Sequence, residues 1–194
     1  PGMYGCGSRE RPGVVHRLDI GTSGVMVFAK TPRAYRALRE AFESHGRIRK
    51  TYLAVLHGAP KTKTGRIENT IGRKPWDSKR MAVDVPDGKR AVSEWTVLAK
   101  RSGVSLVEFV IETGRTHQIR AQMSARGNSL VGDKKYGSRD SVARYPSLFA
   151  NGISFELFGK KISATAFPNT TDYPWSEFDH FSKNEAEERV DKNA

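Results

Sequence analysis

A charged loop near the start of the chain has residue types that could perform chemistry. The segment His16–Gly24 reads HRLDIGTSG and precedes the apolar run Val25–Ala29, which predicts a buried strand. Asp19 in this loop has two interpretations. It is commonly a turn residue whose carboxylate accepts hydrogen bonds from nearby backbone N–H groups. A carboxylate in a loop between core strands is also held rigidly while remaining accessible, which suits a nucleophile or a base.

Two neighbours of Asp19 are weaker candidates. His16 is most simply a structural histidine. Ser23 lies in GTSG, which lacks the flanking spacing of a nucleophile elbow. A Ser-His-Asp triad built from these residues would place all three in one tight loop, so the pattern gives little support to a serine nucleophile.

A second charged segment, Thr113–Arg120, reads TGRTHQIR and is predicted to be a strand end and a turn entering a helix. Thr113 and Thr116 are both candidate caps for that helix. The arginines are either part of a solvated basic face or partners for Asp19. In the second case an arginine keeps the carboxylate ionised and oriented.

The elements around these segments predict an α+β fold with a mostly antiparallel central sheet, flanked by helices and loops. Thr31 and Pro32 predict the start of a helix that ends at Gly46, and a second helix is predicted over residues 116–125. Residues 61–89 are predicted to be irregular. Strands are expected at 51–57, 66–71, 81–85, 91–98, 104–111, 153–157 and 161–165. We expect one domain over residues 1–168 and an acidic polar tail over 169–194, in which 185–191 is a solvated helix or disordered.

The charge of the chain predicts a polyanionic partner. Its 194 residues include 33 basic and 21 acidic side chains, for a net charge of +12. Residues 172–194 contribute −4 to that total, so the first 171 residues carry +16. This field favours nucleic acid. A membrane is not expected as the partner, because no apolar run approaches ~20 residues and no basic amphipathic anchor is evident.

The sequence lacks the signals that are typical of several other classes of protein. The single cysteine, Cys6, excludes a disulfide scaffold and fits a reducing compartment. No signal peptide is evident, so we expect a cytoplasmic protein, and we expect it to be a monomer. Phosphate-binding loops, dinucleotide fingerprints and zinc motifs are missing from the sequence, and no metal or cofactor is expected.

The two charged segments belong to a longer ordered set of motifs that resembles the RluA family of RNA pseudouridine synthases. The similarity runs from about Val14 to Pro168. The residues between Lys79 and Val83 also resemble that family's linker. The motifs occur in one order along the chain: HRLD at 16–19, TSG at 22–24, KTYLA at 50–54, GRTHQIR at 114–120, Gly127, Gly132-Asp133 and Tyr136-Gly137.

The chain departs from the family pattern in three places. Family members normally have an upstream strand-forming segment with a Lys-Pro motif, which does not precede the HRLD loop here. Gln122 stands where many members have histidine, and the segment after Pro168 matches no part of the family pattern. The resemblance therefore implies a pseudouridine synthase fold without its N-terminal strand segment.

The resemblance implies an enzyme that detaches uracil from its ribose, rotates it and rejoins it through C5, without a cofactor or metal. Asp19 matches the catalytic aspartate, and Arg120 matches the arginine that pairs with it. Tyr52 matches the active-site tyrosine, whose ring can stack on uracil and whose hydroxyl can assist a proton transfer. Whether the carboxylate attacks a carbon or takes a proton from the ribose stays open.

The implied substrate is a uridine in ribosomal or transfer RNA, which must be flipped out of its helix into the pocket. Arg17 is a candidate to fill the vacated space. Arg115 and His117 either contact phosphate or ribose or fix the loop itself. Two other functions are alternatives: a non-catalytic RNA-binding module with the same fold, and a glycoside hydrolase. The hydrolase needs a second acid, for which Glu112 and Asp133 are the nearby candidates.

Overall fold

The computed structural model describes residues 6–44, 46–74 and 77–179, which are built around one eight-stranded sheet. Its strands lie in the order β1-β7-β2-β6-β5-β3-β4, and β8 pairs with β7. Within these residues the β1–β7 pair is parallel and the other strand pairs are antiparallel, which confirms the predicted fold class. The strands are β1 Ser23–Gly24, β2 Ile48–His57, β3 Thr64–Lys74, β4 Asp77–Val83, β5 Lys89–Arg101, β6 Val104–Ile111, β7 Leu148–Leu157 and β8 Lys160–Thr165.

Helix α1, Pro32–Glu43, confirms the first predicted helix. The Thr31 hydroxyl accepts a hydrogen bond from the Ala34 N–H at 3.2 Å, and proline at the first position supplies a suitable φ. Leu38 and Ala41 are buried on one stripe of the helix, where they pack in a cluster with Ile48 and Phe155 of the sheet. His45, which falls within the first predicted helix, lies outside the described residues.

Helix α2 begins later than predicted, at Gln118, and ends at Ala125. His117 precedes it in the left-handed conformation, with φ of 54°, and no side chain caps the helix. The expectation that Thr113 or Thr116 caps the helix was therefore wrong. Thr113 is buried instead, where its hydroxyl accepts the Val92 N–H at 2.9 Å.

Two other local expectations were wrong. The short strands expected at 66–71 and 81–85 are present, but residues 61–89 are not irregular around them, because β3 and β4 begin earlier and pair as a hairpin at one edge of the sheet. Ile67 and Ile71 of β3 point inward and are buried, whereas Glu68 on the opposite face is exposed. The run Val25–Ala29 is not a continuous strand, because its backbone donors bond three separate partners: Ala150, His16 and Gly13.

The segment predicted to start an acidic tail packs on the sheet in its first part. Pro174 and Phe178 are buried, and Phe178 joins a cluster with Val55 and Leu106. A short 3-10 helix covers Trp175–Phe178. The predicted helical or disordered segment 185–191 lies outside the described residues. No helix among the described residues is long and apolar enough to cross a membrane.

Candidate active site

A cavity of about 100 Å³ opens where the first charged loop meets β2 and the turn after β6. Distant parts of the sequence converge there, because β2 lies next to both β6 and β7 in the sheet. The structure places five of the six predicted site residues on the cavity wall, and Arg120 lies directly behind it. The wall residues are Arg17, Asp19, Tyr52, Arg115 and His117.

Backbone geometry fixes the position of Asp19. The Asp19 carbonyl accepts a hydrogen bond from the Thr22 N–H at 3.0 Å, which closes a turn. Gly21 in this turn has φ of 84°, and a Cβ there would lie 2.9 Å from the Tyr145 ring. Only glycine fits this turn without strain. The Asp19 side chain remains 18% exposed, so a substrate can reach it.

Arg120 joins two carboxylates. Its Nε and Nη2 donate to Asp133 Oδ2 and Oδ1 at 2.7 and 2.9 Å, and its Nη1 lies 3.6 Å from Asp19 Oδ2. The bidentate bond to Asp133 orients the guanidinium group. The distance to Asp19 is that of an ion pair and is too long for a hydrogen bond. Asp19, the predicted partner of Arg120, is therefore its more distant partner in this structure, after Asp133.

Asp133 was missed as the main partner of Arg120. Its side chain is fully buried, and that of Arg120 is 6% exposed. Burial of one charge without the other would be costly, so the two form a unit. The Gly132-Asp133 pair carried a signal, since it is one of the motifs of the family resemblance. Sequence spacing alone did not link it to Arg120.

Tyr52 lies on β2, opposite Phe109 of β6, and its side chain reaches the cavity. Burial, with a smaller contribution from the negative charge of Asp19, raises the pKa of Tyr52 to about 12. The phenol is therefore neutral at pH 7. It can donate a hydrogen bond beside the carboxylate, and its ring offers a stacking surface for a base.

His117 is tied to Tyr136, a residue without a predicted role. The His117 Nδ1 lies 2.9 Å from the Tyr136 hydroxyl, which also accepts the Met81 N–H at 2.9 Å. Burial lowers the pKa of His117, so the imidazole is neutral at pH 7. The Arg120 guanidinium lies 5.1 Å from the Tyr136 ring centroid. Tyr136 thus connects the edge hairpin to two residues of the site.

Arg115 has a structural contact in addition to its place on the cavity wall. Its Nε donates to the Arg90 carbonyl at 2.9 Å, and its backbone N–H donates to Gln118 Oε1 at 3.0 Å. These bonds hold the turn against β5. Arg17, in contrast, is exposed at the rim of the cavity.

A buried polar network behind this turn was also missed. Gln118 accepts from the Thr113 hydroxyl at 2.8 Å and donates to Ser93 at 2.8 Å. Ser93 donates in turn to Gln122 Oε1 at 2.7 Å. Gln122, the residue that departs from the family pattern, therefore helps to fix α2 to β5. A fully satisfied buried network of this kind holds its members rigidly.

His16 has the structural role that the simpler interpretation gives it. Its Nε2 accepts the Val27 N–H at 2.9 Å, and its ring stacks on Phe42 with centroids 4.6 Å apart. Burial, with a smaller contribution from the positive charge of Lys50, lowers the pKa of His16 to about 4. The ring is neutral at pH 7 and holds the loop that carries Asp19.

The two candidate acids for glycoside hydrolysis are both engaged elsewhere. Glu112 accepts from Arg90 Nη1 at 2.7 Å on the sheet surface, and Asp133 is enclosed behind Arg120. Neither carboxylate lines the cavity across from Asp19. Residues 6–44, 46–74 and 77–179 contain no cluster of three or more His, Cys, Asp or Glu side chains that could hold a metal ion.

The fold and this arrangement of residues define a known class. The family model for RNA pseudouridylate synthase matches residues 7–125, and the chain belongs to that family. The human RNA pseudouridylate synthase domain containing 1 has a similar structure, with a TM-score of 0.72 and 28% identity, over 80% of this chain and 68% of that one.

Bacterial relatives share more of the sequence. An uncharacterized RNA pseudouridine synthase of Zymomonas mobilis is 40% identical over 80% of this chain and 72% of its own length. The ribosomal large subunit pseudouridine synthase D of the same organism is 42% identical over 70% of this chain and 42% of its own length. An uncharacterized RNA pseudouridine synthase of Synechocystis is 41% identical over 73% of this chain. The chain spans 44% of that Synechocystis protein, so it corresponds to less than half of some relatives.

Proposed function

We propose that this protein isomerises uridine in RNA to pseudouridine. The observation that carries the proposal is the position of Asp19, which reaches the cavity within 3.6 Å of a buried arginine and beside a neutral phenol. The Arg120 guanidinium lies at ion-pair distance from the Asp19 carboxylate and helps to orient it towards the cavity. The cavity is small and joins charged side chains with an aromatic ring, as a site for one flipped base requires.

The reaction breaks the bond between ribose C1′ and uracil N1 and forms a bond between C1′ and C5. The proton on C5 is released, and N1 gains one. Two first steps fit the accessible carboxylate of Asp19: attack on carbon, or removal of a ribose proton. In either route the ring of Tyr52 supports the free uracil, and its hydroxyl is placed to assist a proton transfer.

We further propose that the substrate is a structured RNA, either ribosomal or transfer RNA. The +16 charge of the first 171 residues supports a polyanionic substrate, and the name of one relative refers to the large ribosomal subunit. In this proposal Arg17 fills the space left by the flipped base, while Arg115 and His117 approach ribose or phosphate. We propose that the protein acts in the cytoplasm as a monomer.

Tritium release from RNA labelled at C5 of uridine tests this function directly, because isomerisation expels that hydrogen. We expect release by the wild type and a fall of roughly 10²–10⁴-fold or more in Asp19→Asn, with RNA affinity retained. Glu112→Gln, a matched removal of one carboxylate outside the cavity, should release tritium at the wild-type rate.

The same assay separates the enzyme from a non-catalytic RNA-binding module. Binding of RNA without tritium release from any ribosomal or transfer RNA substrate would favour the binding module. Equal rates in Asp19→Asn and the wild type would instead show that Asp19 is only a turn residue.

A further inference from the structure

A second, larger groove opens beside the candidate active site. Its volume is about 450 Å³, and it shares Arg17, Tyr52 and Arg115 with the smaller cavity. Its other walls come from α1 and from β2. Four cationic side chains line it, namely Arg17, Arg39, Lys50 and Arg115, together with one carboxylate, Glu43.

Lys50 is the unusual member of this set. It lies on β2 between the neighbouring strands β6 and β7, where Ile111 and Ile153 are its partners in register. Ile48 and Tyr52, two residues away on either side, share its face of the strand. This is a position in the middle of the sheet, where an apolar side chain would normally be found.

The ammonium group of Lys50 has no neutralising partner among the described residues. In the described part of the chain no carboxylate forms an ion pair with it, and burial together with the like charge of Arg115 lowers its pKa. Its Nζ reaches the turn after β6, since a Cβ built on Gly114 would lie 3.5 Å from it. A half-buried cation beside other cations is unfavourable for stability unless an anion is bound.

The groove also separates the two apolar clusters on this face. Val15 and Phe42 on one wall belong to the cluster around α1, and Ile111 on the other belongs to the cluster around α2. Within the groove, Glu43 accepts a hydrogen bond from Arg39 at 2.8 Å, so the acid is already neutralised. The four cations of the groove lining outnumber its one carboxylate, so the net charge of the lining is positive.

We propose that this groove binds a phosphodiester group of the RNA strand next to the uridine in the cavity, with Lys50 as its central cation. The inference rests on the proposed function and assigns Lys50 as a substrate-binding residue. Continuity with the cavity places the backbone of the bound strand along the shared wall. Arg39 and Arg115 flank the phosphate. The RNA supplies the negative charge that Lys50 lacks among the described residues.

Protection of Lys50 from chemical modification tests the proposal. The full chain is treated with an amine-acetylating reagent, alone, with uridine, or with an octauridylate, and each lysine is followed by mass spectrometry. We expect the octauridylate to slow acetylation of Lys50 at least fivefold, while uridine, which has no phosphate, leaves it unchanged. Lys100, exposed at the end of β5, is the internal control.

Variants provide a second measurement. In Lys50→Met we expect five- to tenfold weaker binding of the octauridylate, and a plot of log affinity against log salt that is shallower by about 0.7. Lys50→Arg should restore both values, and Lys100→Met should leave them at wild-type levels. Thermal unfolding of each variant shows whether it is folded.

The groove assignment would be overturned if Lys50 were not acetylated in the free protein. It would also be overturned if the octauridylate did not slow the acetylation of Lys50. Neither measurement requires turnover. Tritium release without protection of Lys50 would therefore contradict this inference and leave the proposed function standing. Protection of Lys50 without tritium release would support the groove assignment and contradict the proposed function.

Discussion

Two of the groups of arginines and carboxylates in the described part of the chain have similar bond lengths and different surroundings. In the site, Arg120 donates to Asp133 at 2.7 Å, and the two side chains are 6% and 0% exposed. On the sheet surface, Arg90 donates to Glu112 at 2.7 Å, with side chains 45% and 37% exposed. Distance therefore does not distinguish the two pairs, and burial does.

The difference in burial gives the two groups different roles. Water screens the surface group, in which Arg66 and Glu68 also take part, so its pairs add little to stability. In the site, neither Arg120 nor Asp133 can be removed without leaving the other charge buried. The buried pair thereby holds a guanidinium rigidly near Asp19, which the surface pairs could not do.

Among the changes that separate the two groups, we expect the largest effect on turnover when the geometry of the buried arginine is changed. In Arg120→Lys, a single ammonium cannot form the bidentate bond to Asp133 and also approach Asp19. Tritium release should fall by about 10²-fold, as expected when a catalytic group is misplaced by about 1 Å. Arg90→Lys on the surface should retain the wild-type rate, and equal losses in both variants would remove the distinction between the groups.

Stability should separate the same two groups. Asp133→Asn leaves the Arg120 charge without its main partner, and we expect urea denaturation to show a loss of about 3–5 kcal/mol in the free energy of unfolding. Glu112→Gln should be indistinguishable from the wild type, because its site is exposed. If the two losses were similar, the argument from burial would be wrong.

The smallest effect concerns the pH dependence of stability. The pKa of His16 is lowered to about 4 in the folded protein from 6.5, so the unfolded chain binds the proton first on acidification. Stability should therefore decrease as the pH falls from 6.5 towards 4, by about 1–3 kcal/mol after allowance for partial exposure. The change should be smaller in His16→Gln, whose side-chain oxygen can still accept the Val27 N–H.

The surface group of arginines and carboxylates should not contribute to the pH dependence of stability over most of the range between pH 6.5 and 4. The pKa values of Glu68 and Glu112 are lowered from 4.5 by hydrogen bonds to arginine, so both carboxylates stay ionised above pH 4.5. Stability that depends on them is lost only at lower pH. An identical pH profile for His16→Gln and the wild type would show that His16 is not the buried titrating group.

Several features of this protein follow from local sequence. Thr31 and Pro32 define the start of α1, because capping needs only a hydroxyl and a fixed φ within one turn. Strand β6 has the predicted bounds Val104–Ile111, since its apolar residues can be recognised without knowledge of their neighbours. The ordered motifs around Asp19 and Arg120 indicated the family, and the net charge indicated a polyanionic partner.

Other features depend on contacts that only the tertiary structure provides. The β3–β4 hairpin is regular although its sequence is charged, because pairing with β5 satisfies its backbone and buries Ile67 and Ile71. His117, and not a threonine, occupies the N-cap position of α2, because the buried hydrogen bond between Thr113 and Gln118 fixes the turn.

The sequence alone singled out the residues that we propose carry the chemistry, because the identity and order of Asp19, Tyr52 and Arg120 are properties of the chain. The tertiary structure decided how they are paired. Asp133 rather than Asp19 is the main partner of Arg120, and Lys50, in the middle of the sheet, has no counter-charge in the part of the chain that the structure describes. Charges attract through space, and burial sets the strength of that attraction. Neither distance nor burial is encoded in the spacing of residues along the chain.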